Sequence, residues 1–285
     1  MRWKGRREST NVEDRRGMPS KGLALGGGGI GTLVIMALVW FLTGDPQKAM
    51  QVPQRAPQGG GAAQNRPAGE DDEAKNFLEV VLADTEDVWK DQFEQNYPRP
   101  YEVTTLVMFT GSVDSGCGRA SSGVGPFYCP ADRKVYIDPS FFTQLKNQLG
   151  APGDFAAAYV VAHEVGHHVQ NLLGYSDRVN RVRGTPRENE MSVRLELQAD
   201  FLAGVWAHHG QKEKQFLEDG DLEEALNAAR QIGDDKLQRQ ATGTVNPDGF
   251  THGTSAQRMY WLRRGLETGD MSLIDEPFTR PYNQL

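Results

Sequence analysis

The sequence has few cysteines, few long apolar runs and no excess of positive charge. Two cysteines in 285 residues allow one intrachain disulfide at most. A net charge of −7 argues against nucleic acid as the main partner, because a negative surface repels phosphate. No internal repeat is visible. With 24% charged and 38% hydrophobic residues, the chain is expected to be mostly soluble and globular rather than disordered.

Positive charge is concentrated before and at the start of the one long uncharged stretch. The seven basic and three acidic side chains of residues 1–43 give +4, so residues 44–285 must carry −11 to reach −7. The stretch reads GLALGGGGIGTLVIMALVWFL, from Gly22 to Leu42. A membrane helix needs about 20 apolar residues, and glycine is tolerated there. We expect residues 22–43 to be a transmembrane anchor, in preference to a buried glycine-rich loop or a cleaved signal peptide.

Charge and composition divide the chain around this anchor. By the positive-inside rule, the basic residues 1–21 are expected in the cytoplasm, with the body facing the periplasm or the cell exterior from the inner membrane. Residues 44–70 are rich in Pro, Gln, Gly and Ala, which predicts a flexible linker. Residues 71–285 then form the folded domain. A soluble cytoplasmic enzyme whose apolar stretch is not an anchor is the alternative.

Apolar periodicity in the domain predicts an α+β fold, mostly helical with a small sheet. Apolar residues recur at helical spacing in Glu73–Gln95. Val103–Val113 is rich in β-branched residues and predicts a strand, and Val135–Asp138 predicts a second, short one. Cys117 and Cys129 lie between the two. In an oxidising compartment we expect them to form a disulfide, although reduced thiols remain an alternative.

A metal-binding pattern, His-Glu-x-x-His, lies in the predicted helix of residues 151–174. His163 and His167 are four residues apart, so both imidazoles lie on one helix face and can converge on one ion. Glu164 projects beside that ion, which suits a base acting on water. The flanking valines predict a buried helix, where unpaired imidazoles and a carboxylate would be costly. The pattern therefore predicts a site for one zinc ion.

A second helical pattern, Glu188–His209, offers the carboxylates that such a site needs. A catalytic zinc has three protein ligands and one open position. Glu196 and Asp200 are again four residues apart on one face. We expect Glu196 to be the third ligand and Asp200 to orient a ligand histidine, although which of the two touches the metal is open.

The other histidines are expected to have different roles. We interpret His168 as structural. His208 and His209 lie near a helix C-terminus, where imidazole is common, and we do not expect them to be ligands. His252 lies in the loop FTHGTSAQR, before a helix that Thr254 or Ser255 caps. His252 or Arg258 can stabilise the oxyanion that forms when water attacks a carbonyl. A surface-loop role for His252 is equally open, since pattern alone sets no distance.

Several long segments of the chain resemble the bacterial neutral zinc metallopeptidase family, whose members carry an HExxH motif and a single membrane anchor. The segments are MRWKGRRESTNVEDRRG, VLADTEDVW, GPFYCPADRKVYID, FAAAYVVAHEVGHHVQNLLG, SVRLELQADFLAGVWAHH and FTHGTSAQR, with the glycine-rich anchor. The resemblance spans nearly the whole chain. It implies that His163 and His167 bind zinc, that Glu164 is catalytic, and that Glu196 and Asp200 match the carboxylate ligand and its supporting aspartate.

Together these features predict a zincin-like metallopeptidase domain, preceded by a transmembrane helix, that hydrolyses a peptide or protein substrate. In zincin-like folds an edge strand can hold an extended substrate, and we expect Val103–Val113 or Val135–Asp138 to be that edge. The alternative is a membrane-tethered zinc-binding scaffold or assembly factor without hydrolytic activity. Substrate identity does not follow from the sequence.

Overall fold

The computed structural model describes residues 1–17 and 68–285. The predicted anchor at 22–43 and most of the predicted linker at 44–70 lie outside these residues. Within them, no helix combines the length and apolar character that crossing a bilayer needs. The α+β prediction is confirmed: the described chain forms a mainly helical domain with a small sheet.

Nine helices and six strands make up the described part of the chain. The helices are α1 (Ala68–Asn96), α2 (Ser140–Asn147), α3 (Asp154–Leu173), α4 (Tyr175–Asn180), α5 (Glu188–Lys214), α6 (Asp221–Gln231), α7 (Asp234–Thr242), α8 (Ser255–Thr268) and α9 (Glu276–Thr279). The strands are β1 (Val12–Asp14), β2 (Thr105–Met108), β3 (Ser112–Ser115), β4 (Gly118–Ser121), β5 (Phe127–Cys129) and β6 (Lys134–Ile137). Helix α1 thus begins before the predicted Glu73 and includes residues 68–70 of the predicted linker.

The main sheet has the strand order β1-β2-β6-β5. Strand β1 is parallel to β2 and β2 is parallel to β6, whereas β5 is antiparallel to β6. The predicted strand Val103–Val113 is two elements, because Gly111, at φ +77°, turns the chain from β2 into the β3–β4 hairpin. Both β2 and β6 have neighbours on each side. The prediction that one of them supplies the sheet edge is therefore wrong, because β1 and β5 are the two edge strands of this sheet.

Residues Met1–Gly17, which we call the N-terminal segment, pack on the same unit. Strand β1 continues the ladder, with Val12 opposite Leu106. The Trp3 ring meets Phe77 of α1 edge to face, with 5.5 Å between centroids. The segment was expected to be separate from the domain, but in the structure it supplies a strand of the domain's sheet.

Helices α3, α5 and α8 cross closely because glycines line their contacts. A Cβ on Gly166 of α3 would lie 3.1 Å from the Ala199 carbonyl oxygen of α5. A Cβ on Gly204 of α5 would lie 2.2 Å from the Leu262 carbonyl oxygen of α8. A side chain at Gly204 would push α5 and α8 apart, and one at Gly166 would be tight against α5. The close approach brings side chains of all three helices to one place.

The predicted disulfide is confirmed. Cys117 and Cys129 are bonded, with their Cα atoms 5.8 Å apart. The bond joins the turn of the β3–β4 hairpin to the last residue of β5. It also excludes zinc ligation by this pair.

Candidate metal centre

Helix α3 carries the His-Glu-x-x-His pattern and lies within the predicted span of residues 151–174. Gly174 follows the helix in the left-handed conformation, at φ +83°. Asp154 is the first helical residue, and its carboxylate accepts a hydrogen bond from the Met1 amino group at 2.5 Å. The helix is almost wholly buried, including the flanking valines Val160, Val161, Val165 and Val169. Its polar groups therefore need partners or a ligand.

The three predicted ligands meet at one point. The Glu196 carboxylate lies 3.1 Å from His163 Nε2 and 3.5 Å from His167 Nε2. One ligand atom from each residue lies within 4.8 Å of the other two. Both histidines present Nε2 to this point, as the spacing of four residues along α3 predicts.

The Nδ1 atom of each imidazole, on the side away from Glu196, has a partner of the kind that metal-binding histidines use. His163 Nδ1 lies 2.8 Å from Asp200 Oδ1, and His167 Nδ1 lies 2.8 Å from Gln170 Oε1. Both partners accept hydrogen bonds, so each ring can carry its proton on Nδ1 and leave the Nε2 lone pair for an ion. Two imidazole nitrogens and a carboxylate oxygen are a common zinc ligand set. The residues present thus fit zinc.

Asp200 lies behind His163, as predicted, in a fully buried network. Arg258 binds it through two bonds, Nε to Oδ2 at 2.8 Å and Nη2 to Oδ1 at 3.0 Å. Tyr159 donates its hydroxyl to Oδ1 at 2.5 Å. Burial raises the pKa of Asp200, but Arg258 and His163 outweigh it and lower the pKa to about 2. Asp200 therefore supports His163 as a carboxylate, and Glu196 is the residue at the ligand point.

The ligands themselves have shifted pKa values. Burial lowers the pKa of His163, but Asp200 and Glu196 reverse this effect and raise it to about 9. Burial raises the pKa of Glu196, yet the nearby His167 and His252 hold it well below its ordinary range. The carboxylates of Glu196 and Asp200 lie against the two imidazole rings. Their negative charge attracts positive charge, which a metal ion or bound protons can supply.

Glu164 lies beside this point on the wall of a cleft of about 830 Å³. Its side chain is buried. In the part of the chain that the structure describes, no hydrogen bond or ion pair engages its carboxylate. The cleft is also lined by His163, His167 and Glu196. Glu164 is therefore placed to act on a group bound in the cleft.

His252 lines the same cleft and is held by Asp234, the first residue of α7. Its Nδ1 lies 3.2 Å from Asp234 Oδ1. Asp234 Oδ2 accepts three backbone N–H groups of the same loop, from residues Thr251, His252 and Gly253. The His252 ring is half exposed, and although partial desolvation lowers its pKa, Glu196 and Asp234 raise that pKa above its ordinary value. Asp234 thus holds the loop histidine on the wall of the cleft that contains the metal centre.

The remaining histidines bond to groups outside the metal centre. His168 lies between the Tyr128 hydroxyl, at 3.0 Å, and the Glu102 carbonyl oxygen, at 2.6 Å. His208 and His209 bond the carbonyl oxygens of Leu266 and Gly269. None of the three lines the cleft.

Strand β5 forms one wall of the cleft. Phe127 and Tyr128 line it, with the preceding Gly125 and Pro126. The Tyr128 hydroxyl also accepts a bond from Asn171 of α3, at 3.1 Å. The disulfide holds the other end of the strand at Cys129. The edge strand is therefore fixed relative to the helix that carries the ligands.

Three supporting residues were not predicted from the sequence. Tyr159 lies four residues before His163, and Gln170 three after His167, so helical spacing contains a signal for both. No such sequence signal exists for Asp234, because it contacts His252 only through the packing of α7 against the loop. Arg258 was a candidate for the oxyanion. The structure instead engages its guanidinium with Asp200 and Tyr159.

Comparison with known proteins agrees with this site. A family model described as "Putative neutral zinc metallopeptidase" matches residues 1–276. The chain is 50% identical to "Uncharacterized protein YpfJ" of Escherichia coli K12, covering 95% of this chain and 96% of that protein. It is 47% identical to "Uncharacterized protein Mb2605" of Mycobacterium bovis, covering 66% and 65%. No solved structure matches. The chain therefore belongs to the neutral zinc metallopeptidase family.

Proposed function

We propose that this protein is a peptidase that uses one zinc ion to hydrolyse peptide or protein substrates. The observation that carries the proposal is Glu164. It is a carboxylate on a largely buried side chain, without a bonding partner in the described chain, and it lies beside three zinc-type ligands in an open cleft. Its oxygen atoms are not among the buried polar atoms that lack a partner, so they are open to the cleft. A role as the catalytic base accounts for its position.

The chain's own residues divide the chemistry among them. His163, His167 and Glu196 would hold the ion, which when bound polarises the scissile carbonyl and lowers the pKa of a water molecule. Glu164 accepts a proton from that water and later donates it to the leaving nitrogen. Asp200 and Gln170 fix the two imidazole rings so that both Nε2 atoms keep their direction.

His252 is the proposed donor to the oxyanion. Asp234 Oδ1 lies at its Nδ1, so the Nε2–H is left to point toward another acceptor. As the imidazolium, His252 donates Nδ1–H to Asp234 and Nε2–H to a carbonyl oxygen that gains negative charge. The same contact would be weaker in the substrate than in the transition state, as catalysis requires.

The edge of β5 is the proposed binding site for the substrate backbone. An extended peptide can pair with the free edge of a sheet through its main-chain groups. β5 ends the described sheet, and residues 125–128 line the cleft. The apolar side chains along the cleft, Val124, Phe127, Phe141, Leu149, Leu195 and Leu237, then favour apolar substrate residues.

Hydrolysis of a peptide library by the full chain tests the proposal, with Glu164→Gln beside wild type. The amide keeps the shape of the side chain but cannot accept the proton, so the rate should fall about 100- to 10,000-fold. Zinc content should be unchanged. The matched control is Glu213→Gln, at an exposed position of α5, which should hydrolyse like wild type.

Two other outcomes would argue against this mechanism or against a peptidase. Equal hydrolysis by wild type and Glu164→Gln would refute the assigned base. A wild-type protein that binds zinc and cleaves no member of the library would favour the non-hydrolytic zinc scaffold.

A further inference from the structure

The N-terminal segment makes extensive contacts with the domain. Besides the β1–β2 ladder, the Ser9 hydroxyl donates to Glu86 at 2.5 Å in a buried position. The Ser9 amide donates to the Glu79 carbonyl oxygen at 2.9 Å. From the domain side, Lys134 of β6 reaches Glu13 at 2.6 Å. These contacts join the segment to α1 and to the main sheet.

Basic side chains of the segment are engaged by carboxylates. Lys4 pairs with Glu73 at 2.9 Å, Arg6 with the buried Asp84 at 2.5 Å, and Arg7 with Asp87 at 2.6 Å. Arg2 approaches Glu218, and Arg15 and Arg16 pair within the segment with Glu13 and Asp14. The basic side chains that the positive-inside rule takes as a cytoplasmic signal are thus paired with carboxylates, four of them with carboxylates of the domain.

The chain leaves the described structure at Gly17 and re-enters it at Ala68, the first residue of α1. The pKa of Asp14 is lowered mainly by Arg16, and Lys75 of α1 adds to the effect from nearby. Gly17 can lie at most about 11 Å from Asp14, because three residues separate them. Ala68 lies about 8 Å along α1 from Glu73, which Lys4 contacts. The residues on either side of 18–67 are thus both joined to the domain, Gly17 through β1 and Ala68 as the start of α1.

We propose that the N-terminal segment is an integral part of the peptidase domain and lies on the same side of the membrane as residues 73–285. This inference is independent of the proposed hydrolysis. It changes the topology predicted from the sequence, in which a single crossing at residues 22–43 places the segment and the domain on opposite sides.

The physical reason is that this fold cannot be divided by a bilayer. The hydrocarbon core is about 30 Å thick. Strand pairing between β1 and β2 and the ion pairs with α1 need direct contact, and unpaired backbone groups in hydrocarbon are costly. Removing the segment would also leave Asp84 and Glu86 with fewer partners in the domain interior. One crossing between Gly17 and Ala68 is therefore incompatible with the packed segment.

Cysteine labelling of the full chain in intact bacterial cells tests the proposal. Thr10→Cys places a reporter on the segment and Lys212→Cys one on α5, both at exposed positions. A membrane-impermeant maleimide is applied before and after permeabilisation, and each labelled residue is identified by peptide mass spectrometry, so that the native cysteines do not interfere. We expect the two reporters to behave alike: both labelled in intact cells, or both only after permeabilisation.

Zero-length crosslinking provides a second readout without any substitution. A water-soluble carbodiimide joins an amine to a carboxylate in contact. In membranes from cells that make the full chain, we expect crosslinked peptides between Lys134 and Glu13 and between Lys4 and Glu73. Labelling of one reporter in intact cells and of the other only after permeabilisation would overturn the proposal. The absence of both crosslinks would do the same.

Discussion

The Asp200 carboxylate is shared by three side chains that determine how His163 is held. Arg258, Tyr159 and His163 all bond it in a fully buried position. A carboxylate without its cation would be costly there. Arg258 therefore acts as a positioning residue, because it keeps Asp200 ionised and fixed behind the ligand.

Replacement of Arg258 should weaken zinc binding. We expect Arg258→Met to lower zinc affinity about 10- to 100-fold, the usual effect of losing such a supporting contact. Arg258→Lys should recover only part of this loss, because an ammonium group cannot form the two-bond contact. Competition with a chromogenic chelator measures the affinity. Arg263→Met, at an exposed position of the same helix, is the control, and equal affinities in the two Met variants would contradict the role.

His252 and Asp234 should affect the rate without affecting the metal. We expect His252→Gln to lower kcat about 100- to 1,000-fold, as the loss of one oxyanion donor does elsewhere. Asp234→Asn should have a smaller effect in the same direction, since the ring stays but loses its anchor. Zinc content and kcat are measured on the same preparations. Loss of zinc in either variant would show that the pair supports the ligands instead.

Residue spacing explains why part of the site was predictable. His163 and His167, and likewise Glu196 and Asp200, are four residues apart on helices, so each pair shares a face whatever the tertiary fold. The contact between Asp234 and His252 depends on how α7 packs against a loop. No local pattern encodes such a contact, and it was missed.

At the scale of elements, close helix crossing holds the ligands together. A Cβ on Gly265 of α8 would lie 2.0 Å from the Phe201 carbonyl oxygen of α5. The blocking atom belongs to the backbone, so only a helix shift can relieve the clash.

Gly265→Ala should therefore destabilise the protein. We expect a loss of about 3 kcal/mol or more, at the upper end of overpacking effects, because no side chain can yield. The free energy of unfolding in urea measures it. Glu213→Ala on the exposed face of α5 should stay within about 0.5 kcal/mol of wild type. A Gly265→Ala protein as stable as this control would contradict the packing argument.

The disulfide should stabilise the strand that lines the cleft. Cys117 and Cys129 are 12 residues apart. A disulfide that closes a loop of this size stabilises the folded state by about 3 kcal/mol, because it lowers the entropy of the unfolded chain. Cys117→Ser with Cys129→Ser should lower the melting temperature and leave zinc content unchanged, since the ligands lie on α3 and α5. Treatment with a reductant should lower the melting temperature of wild type alone, and an equal response of the double variant would argue against the bond.

Helices were predicted better than strands for a physical reason. Apolar periodicity located α3 and α5, although α5 continues to Lys214, past the predicted end at His209. Val103–Val113 is β-rich throughout, yet Gly111 breaks it into two strands of different sheets. Strand order depends on distant pairing, so the sequence did not reveal that β5 is an edge strand.

At the scale of the whole molecule, distant parts of the chain meet at the centre. The ligands come from α3 and α5, Arg258 from α8 and His252 from the loop before it. Tertiary packing must therefore be complete before an ion can be held, and metal binding and folding should be linked. The N-terminal segment belongs to the same unit. Its composition had instead predicted a cytoplasmic segment separate from the domain.

Zinc analysis of the purified full chain tests the central claim most directly. Metal content by mass spectrometry is combined with X-ray absorption at the zinc edge, for wild type and for Glu196→Ala. We predict one zinc per chain, with two imidazole ligands and oxygen but no sulfur, and a large loss of zinc in Glu196→Ala. A wild-type protein that binds no zinc, or binds it through sulfur, would contradict the account.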